Sequence, residues 1–321
     1  MSLGVAVVGA GTWGKNIVRT FAAHPRVRLV AVCDSSPEVR ERVERDTPGV
    51  ATIDALASLL ERTDVEAVAI ATPAAQHAAL AVECLRAGRH VLCEKPLALT
   101  VESAREVVDA AERSGKIMMV GHLLAYHPAM AYLRELVASG ELGTLQHVHS
   151  QRVNLGRVRT DESALWSFGP HDLTMILELV GAQPDTVRAR GRAFLRPGTE
   201  DEVLMHLDFP QGPRAQVQMS WLDPQKERRL TVVGSKKTAA FDDAHPTEKI
   251  RVYDTGLDRP PHIPRISTEE PLRVEIDHFV QCVETGSRPR TDATAGFRIV
   301  RILAAAEASL RHQGTAQVVS P

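Results

Sequence analysis

The feature that most constrains this sequence is a glycine-rich segment close to its start. Gly9, Gly11 and Gly14 are spaced as GxGxxG, directly after the apolar run Leu3–Val8 and before a helical pattern. In that context the first glycine permits a tight turn, the second lets a pyrophosphate approach the backbone, and the third lets the helix pack on the strand. The amides of the helix N-terminus also favour an anion. The segment predicts dinucleotide binding, with a purely structural turn as the alternative.

Apolar runs alternate with helical patterns through the first 121 residues. The runs are continuous and rich in β-branched residues, as expected of strands that are covered on both faces. Strands are predicted at 3–8, 27–33, 65–71, 90–93 and 116–120, and helices at 13–24, after 37, 54–62, 76–87 and 101–114. This order predicts an α/β fold with a doubly wound parallel sheet, a Rossmann domain, over residues 1–121.

The pattern changes after residue 121. Most later segments alternate polar and apolar positions, with Gly and Pro in the turns between them. Strands are predicted at 145–153, 187–194, 202–209, 214–221, 228–233, 238–241 and 249–253, and helices at 128–138, 171–179, 272–284 and 294–311. Residues 122–321 are therefore predicted to form an α+β domain with a large, mostly antiparallel open sheet. The last helix, 294–311, is expected to pack back on the first domain.

Composition narrows the possible partners. The chain has 38 basic and 40 acidic side chains and a formal net charge of -2, so neither a nucleic acid nor an anionic membrane is favoured and a small-molecule ligand is expected. The four cysteines lack the spacing of a metal knuckle, so we expect reduced thiols and no metal site. The start has no signal-peptide pattern and no apolar run reaches membrane-spanning length, which makes the cytoplasm the expected location.

Asp34 bears on the choice of dinucleotide. It lies at the end of the second predicted strand, 20 residues after Gly14 (34 - 14 = 20). A carboxylate there can accept hydrogen bonds from the adenosine ribose hydroxyls and would repel a 2'-phosphate, and no arginine occurs in 35–37. NAD is therefore favoured over NADP. The alternative is a carboxylate that caps the next helix.

The segment Glu94-Lys95-Pro96 ends the predicted strand 90–93. In an open parallel sheet, ligands bind beyond the carboxyl ends of the strands, so Lys95 is aimed towards the cofactor. A charged lysine there can stabilise a developing alkoxide, and a desolvated one can act as a base. Glu94 can orient or balance a neighbouring charge. The alternative is a solvated surface lysine.

Several motifs in this order resemble the glucose-fructose oxidoreductase / inositol 2-dehydrogenase / MocA family. They are the glycine motif of 9–14, Ala71-Thr72-Pro73 with His77, Glu94-Lys95-Pro96, the segment from Gly121-His122 to Tyr126-His127-Pro128, and a closing pattern that includes Pro271-Leu272, Glu275 and His278-Phe279. The resemblance covers essentially the whole chain. Together these motifs identify the family, but they say little about which substrate the protein uses.

The resemblance implies an oxidoreductase that transfers a hydride between a secondary hydroxyl of a sugar or cyclitol and a nicotinamide. The lysine of the family's Glu-Lys-Pro motif corresponds to Lys95. The histidine that commonly serves as acid or base in the family's second domain corresponds to His171. The substrate expected first is a nucleotide sugar similar to UDP-N-acetylglucosamine, oxidised at carbon 3. Free sugars and inositols are the alternative substrates. The alternative functions are a ketosugar reductase, an enzyme that uses bound NAD transiently to hydrolyse or eliminate at a glycosidic carbon, and a non-catalytic dinucleotide sensor. The second domain is expected to form a homo-oligomer, dimer or tetramer, through its sheet.

One position departs from the family pattern. Many members have an aspartate four residues before the histidine, where this chain has Ser167, although Asp172 follows directly. His171 is then expected to act as sole base or as a substrate contact, with Lys95 taking a larger share. The alternative is a histidine that caps a helix starting there.

The remaining candidates fall into two groups. Those expected near the cofactor are Thr12, Trp13, Thr72, Pro73, His77 and Glu94, and those expected near the substrate are His122, Tyr126, Arg152, Asn154, Trp166 and Asp172. Arg157 and Arg159 extend a basic cluster with Arg152 that could hold a diphosphate or a carboxylate. A capping role for His77 and a solvated loop for the basic cluster remain open.

Overall fold

The computed structural model describes residues 2–155, 162–210, 212–254 and 259–319. The chain forms two compact units. Unit 1 comprises Met1–Leu123 and Glu270–Val300, and unit 2 comprises Leu124–Glu269 and Arg301–Pro321. Arg157 and Arg159, which sequence reasoning assigned to a basic cluster, lie outside the described residues.

Apart from the short strands β3 and β14, which were not predicted, the strands and helices follow the predicted order. The strands are β1 (Leu3–Val8), β2 (Val27–Cys33), β3 (Ala51–Ile53), β4 (Ala67–Ile70), β5 (His90–Glu94), β6 (Met118–Gly121), β7 (Leu145–Val153), β8 (Thr186–Arg192), β9 (Glu202–Asp208), β10 (Arg214–Ser220), β11 (Glu227–Gly234), β12 (Lys237–Asp242), β13 (Ile250–Asp254) and β14 (Gln317–Val318). The helices are α1 (Gly14–Ala22), α2 (Pro37–Asp46), α3 (Leu56–Leu60), α4 (Ala74–Arg86), α5 (Val101–Ser114), α6 (Pro128–Ala138), α7 (Ala164–Val180), α8 (Pro271–Thr285) and α9 (Ala293–Arg311), with a 3-10 turn at Leu123–Tyr126.

Unit 1 contains the predicted parallel sheet. Its six strands are ordered β3-β2-β1-β4-β5-β6 and all of its pairings are parallel, which confirms the doubly wound fold. β1 and β4 are buried along their whole length, as their continuous apolar sequences require. The Ser36 hydroxyl accepts from Val39 N at the start of α2, and Gly115 ends α5 at φ 62°.

Residues 270–300 also belong to unit 1, which differs from the predicted division at residues 121 and 122. α8 lies against α1, and two surface ion pairs connect its N-cap residue and its middle to this part of the unit. Arg19 contacts Glu270 at 2.8 Å and Arg26 contacts Asp277 at 2.6 Å. These pairings join residues far apart in sequence, which local patterns do not reveal.

Unit 2 contains the predicted open sheet. Its eight strands are ordered β13-β12-β11-β7-β10-β9-β8-β14. Only the β7–β10 pairing is parallel among the pairings within the described residues, so the sheet is mostly antiparallel, as predicted. Alternate residues of β9 and β10 are buried, including Val203, Met205 and Val217. This one-sided burial is the source of their alternating sequences.

α7 begins at Ala164, seven residues before the predicted start (171 - 164 = 7). The prediction treated Pro170 as lying before the helix, but the structure places it inside. His171 is therefore in the helix interior, so the alternative that it caps the helix is wrong. No helix in the described part of the chain is long and apolar enough to cross a membrane.

Candidate active site

The strand registers of unit 1 bring the predicted cofactor residues to one edge of the sheet. Val8 pairs with Cys33 and with Ile70, so the residues after β1, β2 and β4 are neighbours. Ile70 pairs with Cys93, and Glu94 pairs with Gly121. The glycine loop, Asp34, Thr72, Lys95 and His122 thus all follow the carboxyl ends of the parallel strands, where open sheets bind ligands.

The glycine loop has the close approaches that its motif predicts. Gly9 has φ 87°, and a Cβ there would lie 2.8 Å from the carbonyl of Ala71. A Cβ on Gly14 would lie 2.0 Å from the Gly9 oxygen, so the start of α1 packs directly on the loop. At Gly11, in contrast, no atom of the described residues comes within 4 Å of the added Cβ. The backbone of Gly11 is therefore open to a phosphate, as the motif requires.

Asp34 contacts this loop directly. One carboxylate oxygen accepts from Ala10 N at 2.8 Å and the other from Ser36 N at 3.0 Å. The side chain therefore fixes the loop and the turn before α2, and each oxygen keeps a lone pair for a ribose hydroxyl.

Two arginines of α2 reach the same region, although sequence reasoning found none in 35–37. Arg40 donates to the backbone oxygens of Asp34 and Ser35 at 2.7 and 3.0 Å, and Arg42 donates to Ala10 O. Both arginines lie in the first two turns of α2, the helix that directly follows the end of β2. Their place in the sequence, within eight residues of Asp34, was the available signal that they could reach this region.

Trp13 links the glycine loop to the segment that contains Lys95. Its indole Nε1 donates to Glu94 Oε1 at 2.6 Å, while 41% of the residue surface is exposed. The other Glu94 oxygen accepts from Lys95 N at 3.2 Å. Gly121 provides the space for this carboxylate, because a Cβ there would lie 3.2 Å from Glu94 Oε1. Gly121 was absent from the predicted site.

His77 connects two backbone segments instead of lying open to a ligand. It is buried in α4, with Nδ1 2.8 Å from the Pro96 oxygen and Nε2 2.9 Å from the Thr72 oxygen. It therefore holds the turn after Lys95 against the turn before α4. Pro73 is the N-cap residue of α4, and it and Thr12 are exposed.

His122 follows β6 and is 1% exposed. Among the described residues, neither of its ring nitrogens has a hydrogen-bond partner. Burial, with the nearby charge of Lys95, lowers its pKa to about 3. His122 is thus a neutral imidazole beside Lys95.

Glu275 of α8 is a buried carboxyl in the same unit, with 1% exposure. Sequence reasoning used it only as part of a family pattern. Burial raises its pKa well above the ordinary value, and the charge of Glu94 adds to the effect. The available signal in the sequence was a glutamate on the face of a predicted helix whose other residues, Leu272, Ile276 and Phe279, are apolar.

In unit 2, Arg152 and Asp172 bind each other. Asp172 is fully buried and accepts from Arg152 Nε at 2.9 Å and from Ser150 Oγ at 2.7 Å. Each was predicted to contact the substrate. Their burial and mutual hydrogen bonds make them an internal link between β7 and α7, which fixes the helix that carries His171. Contact of either residue with a substrate stays a prediction.

The other predicted substrate residues of unit 2 have different surroundings. His171 is half-buried in α7. Trp166 is buried, and its Nε1 donates to Glu307 Oε1 at 3.2 Å, so it packs within the unit. Tyr126 is also buried, and Asn154 is half-buried beyond β7, where its backbone N–H donates to Ser220 O.

The residues of unit 1 fit a dinucleotide. Gly11 leaves the backbone of the loop open, and Asp34 presents a carboxylate beside the loop where the ribose would lie. No group of three or more His, Cys, Asp or Glu side chains in the described ranges could hold a metal ion.

Fold and loop together define an NAD-binding oxidoreductase domain. Residues 3–122 match the family model described as "Oxidoreductase family, NAD-binding Rossmann fold", and residues 130–240 match "GFO/IDH/MocA C-terminal domain". The chain belongs to the GFO/IDH/MocA family of oxidoreductases, which confirms the resemblance seen in the sequence.

Three similar proteins illustrate the range of this family. UDP-N-acetylglucosamine 3-dehydrogenase of Acidithiobacillus ferrooxidans is 27% identical over 92% of this chain and 93% of its own. Inositol 2-dehydrogenase of Rhizobium meliloti is 26% identical over 97% of both chains. The crystal structure of an oxidoreductase from Magnetospirillum magnetotacticum MS-1 is 31% identical, with TM-score 0.86, and the match covers 95% of this chain and 99% of that one.

Proposed function

We propose that this protein is an NAD-dependent dehydrogenase that oxidises a secondary hydroxyl of a sugar, with a UDP-N-acetylglucosamine-like nucleotide sugar, oxidised at carbon 3, as the first candidate. The observation that carries the proposal is Lys95 at the carboxyl end of β5, on a turn fixed by Glu94 and His77. Similarity to UDP-N-acetylglucosamine 3-dehydrogenase supports the choice of substrate.

In this proposal the Lys95 ammonium binds the reacting hydroxyl oxygen and stabilises the negative charge that develops as its proton leaves. The hydrogen bonds at Glu94 and Pro96 hold the backbone on either side of the lysine, so the point from which its side chain extends is fixed before the reaction. NAD, when bound, would supply the acceptor for the hydride that leaves the carbon bearing this hydroxyl. Neutral His122 adds no positive charge to compete with Lys95.

His171 is our candidate for the group that accepts the proton. It lies on α7 directly before Asp172, whose carboxylate is committed to Arg152 and Ser150. Those two hydrogen bonds fix α7 and with it the position of His171, while Ser167 stands where many family members have an aspartate. We therefore propose that the imidazole of His171, carried by this fixed helix, accepts the proton.

The open sheet of unit 2 is our candidate surface for homo-oligomer formation. Residues of β7 that alternate with buried ones, such as His147, His149 and Gln151, are half-buried and mostly polar. Light scattering of the purified protein coupled to size-exclusion chromatography tests this, and a single monomeric species at micromolar concentration would contradict it.

A screen of NADH formation tests the substrate. The protein is incubated with NAD and, separately, UDP-sugars, free sugars and inositols, while the absorbance of NADH is followed. We expect the highest kcat/KM with UDP-N-acetylglucosamine or a close relative. Preference for myo-inositol would favour the inositol dehydrogenase alternative, and activity only with NADH and a 3-keto sugar would identify a reductase.

A further inference from the structure

The sheet of unit 2 has one face packed against α7 and a second face, the outer face, turned away from it. On β7, Ser150 and Arg152 point towards α7, because both side chains donate hydrogen bonds to Asp172 of that helix. Successive residues of a strand point to opposite faces, so His147 and His149 lie on the outer face, where both are half-buried. Since β7 is the fourth of eight strands, the two histidines lie near the middle of that face.

The imidazoles of His147 and His149 form a stacked pair. Their ring centroids are 6.5 Å apart, and the ring planes differ by 24°. Nε2 of His149 is buried and has no hydrogen-bond partner among the described residues. Burial lowers the pKa of His149, and the charge of a protonated His147 adds to the effect. A neutral pair is therefore favoured over a doubly protonated one.

The strands beside β7 place no acidic side chain directly opposite this pair. The four register partners are uncharged or basic: Val233 and Arg214 beside His147, and Thr231 and Gln216 beside His149. The charged side chains that β10, β11 and their outer neighbours place around the pair are two arginines with their acidic partners, Arg214 with Asp208, and Arg229 with Glu227 and Asp242. His206 of β9 lies beyond Gln216. A proton on either imidazole therefore has neutral or positive neighbours in register.

The size and composition of the outer face match what a second copy of the chain requires. Eight strands about 4.8 Å apart and about six residues long cover roughly 700 Å². A standard stable interface uses about 800 Å² of each partner, and its centre is poor in charged residues. The row through His149, which runs from Ala240 through Thr231 to Gln216, contains no permanently charged side chain. In an isologous dimer this same face is buried on both copies.

We propose that two copies of the chain associate through the outer face and that the His147–His149 pair controls this association: the copies bind while both imidazoles are neutral and separate when they take up protons. The proposal rests on the homo-oligomer proposed above and adds its control by pH. Contact between the copies removes water from the imidazoles, so a charge on them costs more in the dimer than in the free protomer.

The direction of the pH effect follows from where the protons bind. An imidazole that is more deeply buried in the dimer has a lower pKa there than in the free protomer, so the free protomers bind more protons. The dimer is therefore most stable above the free-protomer value, about 6.5 for an ordinary histidine, and weakens as pH falls below it. One added proton in each protomer raises the dissociation constant about tenfold per protomer, and so about 100-fold in all, between pH 8.0 and pH 5.5.

Sedimentation velocity of the full chain, over a range of concentrations at pH 8.0 and pH 5.5, measures the dissociation constant of the dimer. For wild type we expect the increase of about 100-fold at the lower pH. The double variant His147→Gln/His149→Gln keeps polar side chains that cannot take up a proton, so it should have nearly the same constant at both pH values. His312→Gln replaces an exposed histidine after α9 in the same unit and, as the control, should behave as wild type.

The outcomes that contradict the proposal differ in what they overturn. A wild-type dimer with equal dissociation constants at both pH values, or wild-type pH dependence in the double variant, would overturn control by the pair and leave the interface standing. A monomer at both pH values would overturn the interface and its control together. Thr231→Arg places a fixed charge beside His149 and should weaken the dimer at both pH values. An unchanged dissociation constant in that variant at pH 8.0 would show that the copies use another face and would also overturn the proposal.

Discussion

The indole N–H of Trp13 donates a 2.6 Å hydrogen bond to the carboxylate of Glu94. This bond joins the dinucleotide loop to the residue before Lys95, so the cofactor half and the chemical half of unit 1 share an anchor. The same carboxylate accepts from Lys95 N. Displacement of Glu94 should therefore alter both binding of NAD and the placement of the lysine.

Trp13→Phe tests this anchor. The phenyl ring retains most of the apolar contact but cannot donate, so we expect kcat/KM to fall about tenfold, the effect of losing roughly one charge-assisted hydrogen bond. Steady-state kinetics of Trp13→Phe, Glu94→Gln and the double variant form the cycle. If the losses in kcat/KM of the two single variants simply added in the double variant, the hydrogen bond between Trp13 and Glu94 would not contribute to catalysis.

Asp34→Ala removes the acceptor of two backbone amides in addition to a proposed ribose contact. Because Ala10 N and Ser36 N both donate to Asp34, we expect the glycine loop to loosen and NAD affinity to fall at least about tenfold. Calorimetric titration with NAD and with NADP measures this. Ser35→Ala, one residue along, serves as control, and unchanged NAD affinity in Asp34→Ala would refute this role.

Gly121→Ala tests the space beside Glu94. The added Cβ would lie 3.2 Å from three Glu94 atoms, so the carboxylate must move by a few tenths of an ångström. We expect kcat to fall while the fold is kept, as seen in kcat and in the circular dichroism spectrum. Wild-type kcat in Gly121→Ala would show that Glu94 tolerates the shift.

The pair Arg152–Asp172 should act on stability. Asp172→Asn leaves the buried Arg152 charge uncompensated, so we expect a loss of about 3 kcal/mol in the free energy of unfolding, measured in urea. Arg188→Gln, which breaks an exposed pair with Asp208, should cost less than about 1 kcal/mol. A normal midpoint with a raised KM in Asp172→Asn would instead support the predicted substrate contact.

His122 should make the protein sensitive to acid. Its folded pKa of about 3 lies below the ordinary 6.5, so the unfolded chain binds the additional proton. The contribution of neutral His122 to the free energy of unfolding is therefore present above pH 6.5 and is lost as pH falls towards 3. His122→Gln should flatten Tm against pH in this range, and a slope equal to that of wild type would exclude His122 as the source.

The sequence predicted the parts of the site that depend on local order. The glycine loop, Asp34 after β2 and Lys95 after β5 could be placed because strand ends and glycine spacing are local patterns. The hydrogen bond between Arg152 and Asp172 could not be predicted, because it depends on how α7 packs against β7. The same holds for Glu275, since only the packing of α8 in unit 1 exposes this carboxyl to the charge of Glu94.

Three elements show further limits of prediction from the sequence. The predicted helix 171–179 started after Pro170, yet Pro170 lies within α7, where Thr174 Oγ1 donates to its oxygen at 2.6 Å. The short strands β3 and β14 have three and two residues, too few to show a period. Their existence depends on the neighbouring strand that each one pairs with.

The role of Lys95 is tested most directly by the initial rate of NADH formation with the best substrate of the screen. Lys95→Met keeps the apolar part of the side chain and removes the charge. The control, Lys116→Met, changes a lysine that precedes β6 and therefore lies at the amino ends of the parallel strands, away from Lys95. We expect Lys95→Met to lose about 10²- to 10⁴-fold in kcat with NAD still bound, and Lys116→Met to keep the wild-type rate. A wild-type rate in Lys95→Met would contradict the account.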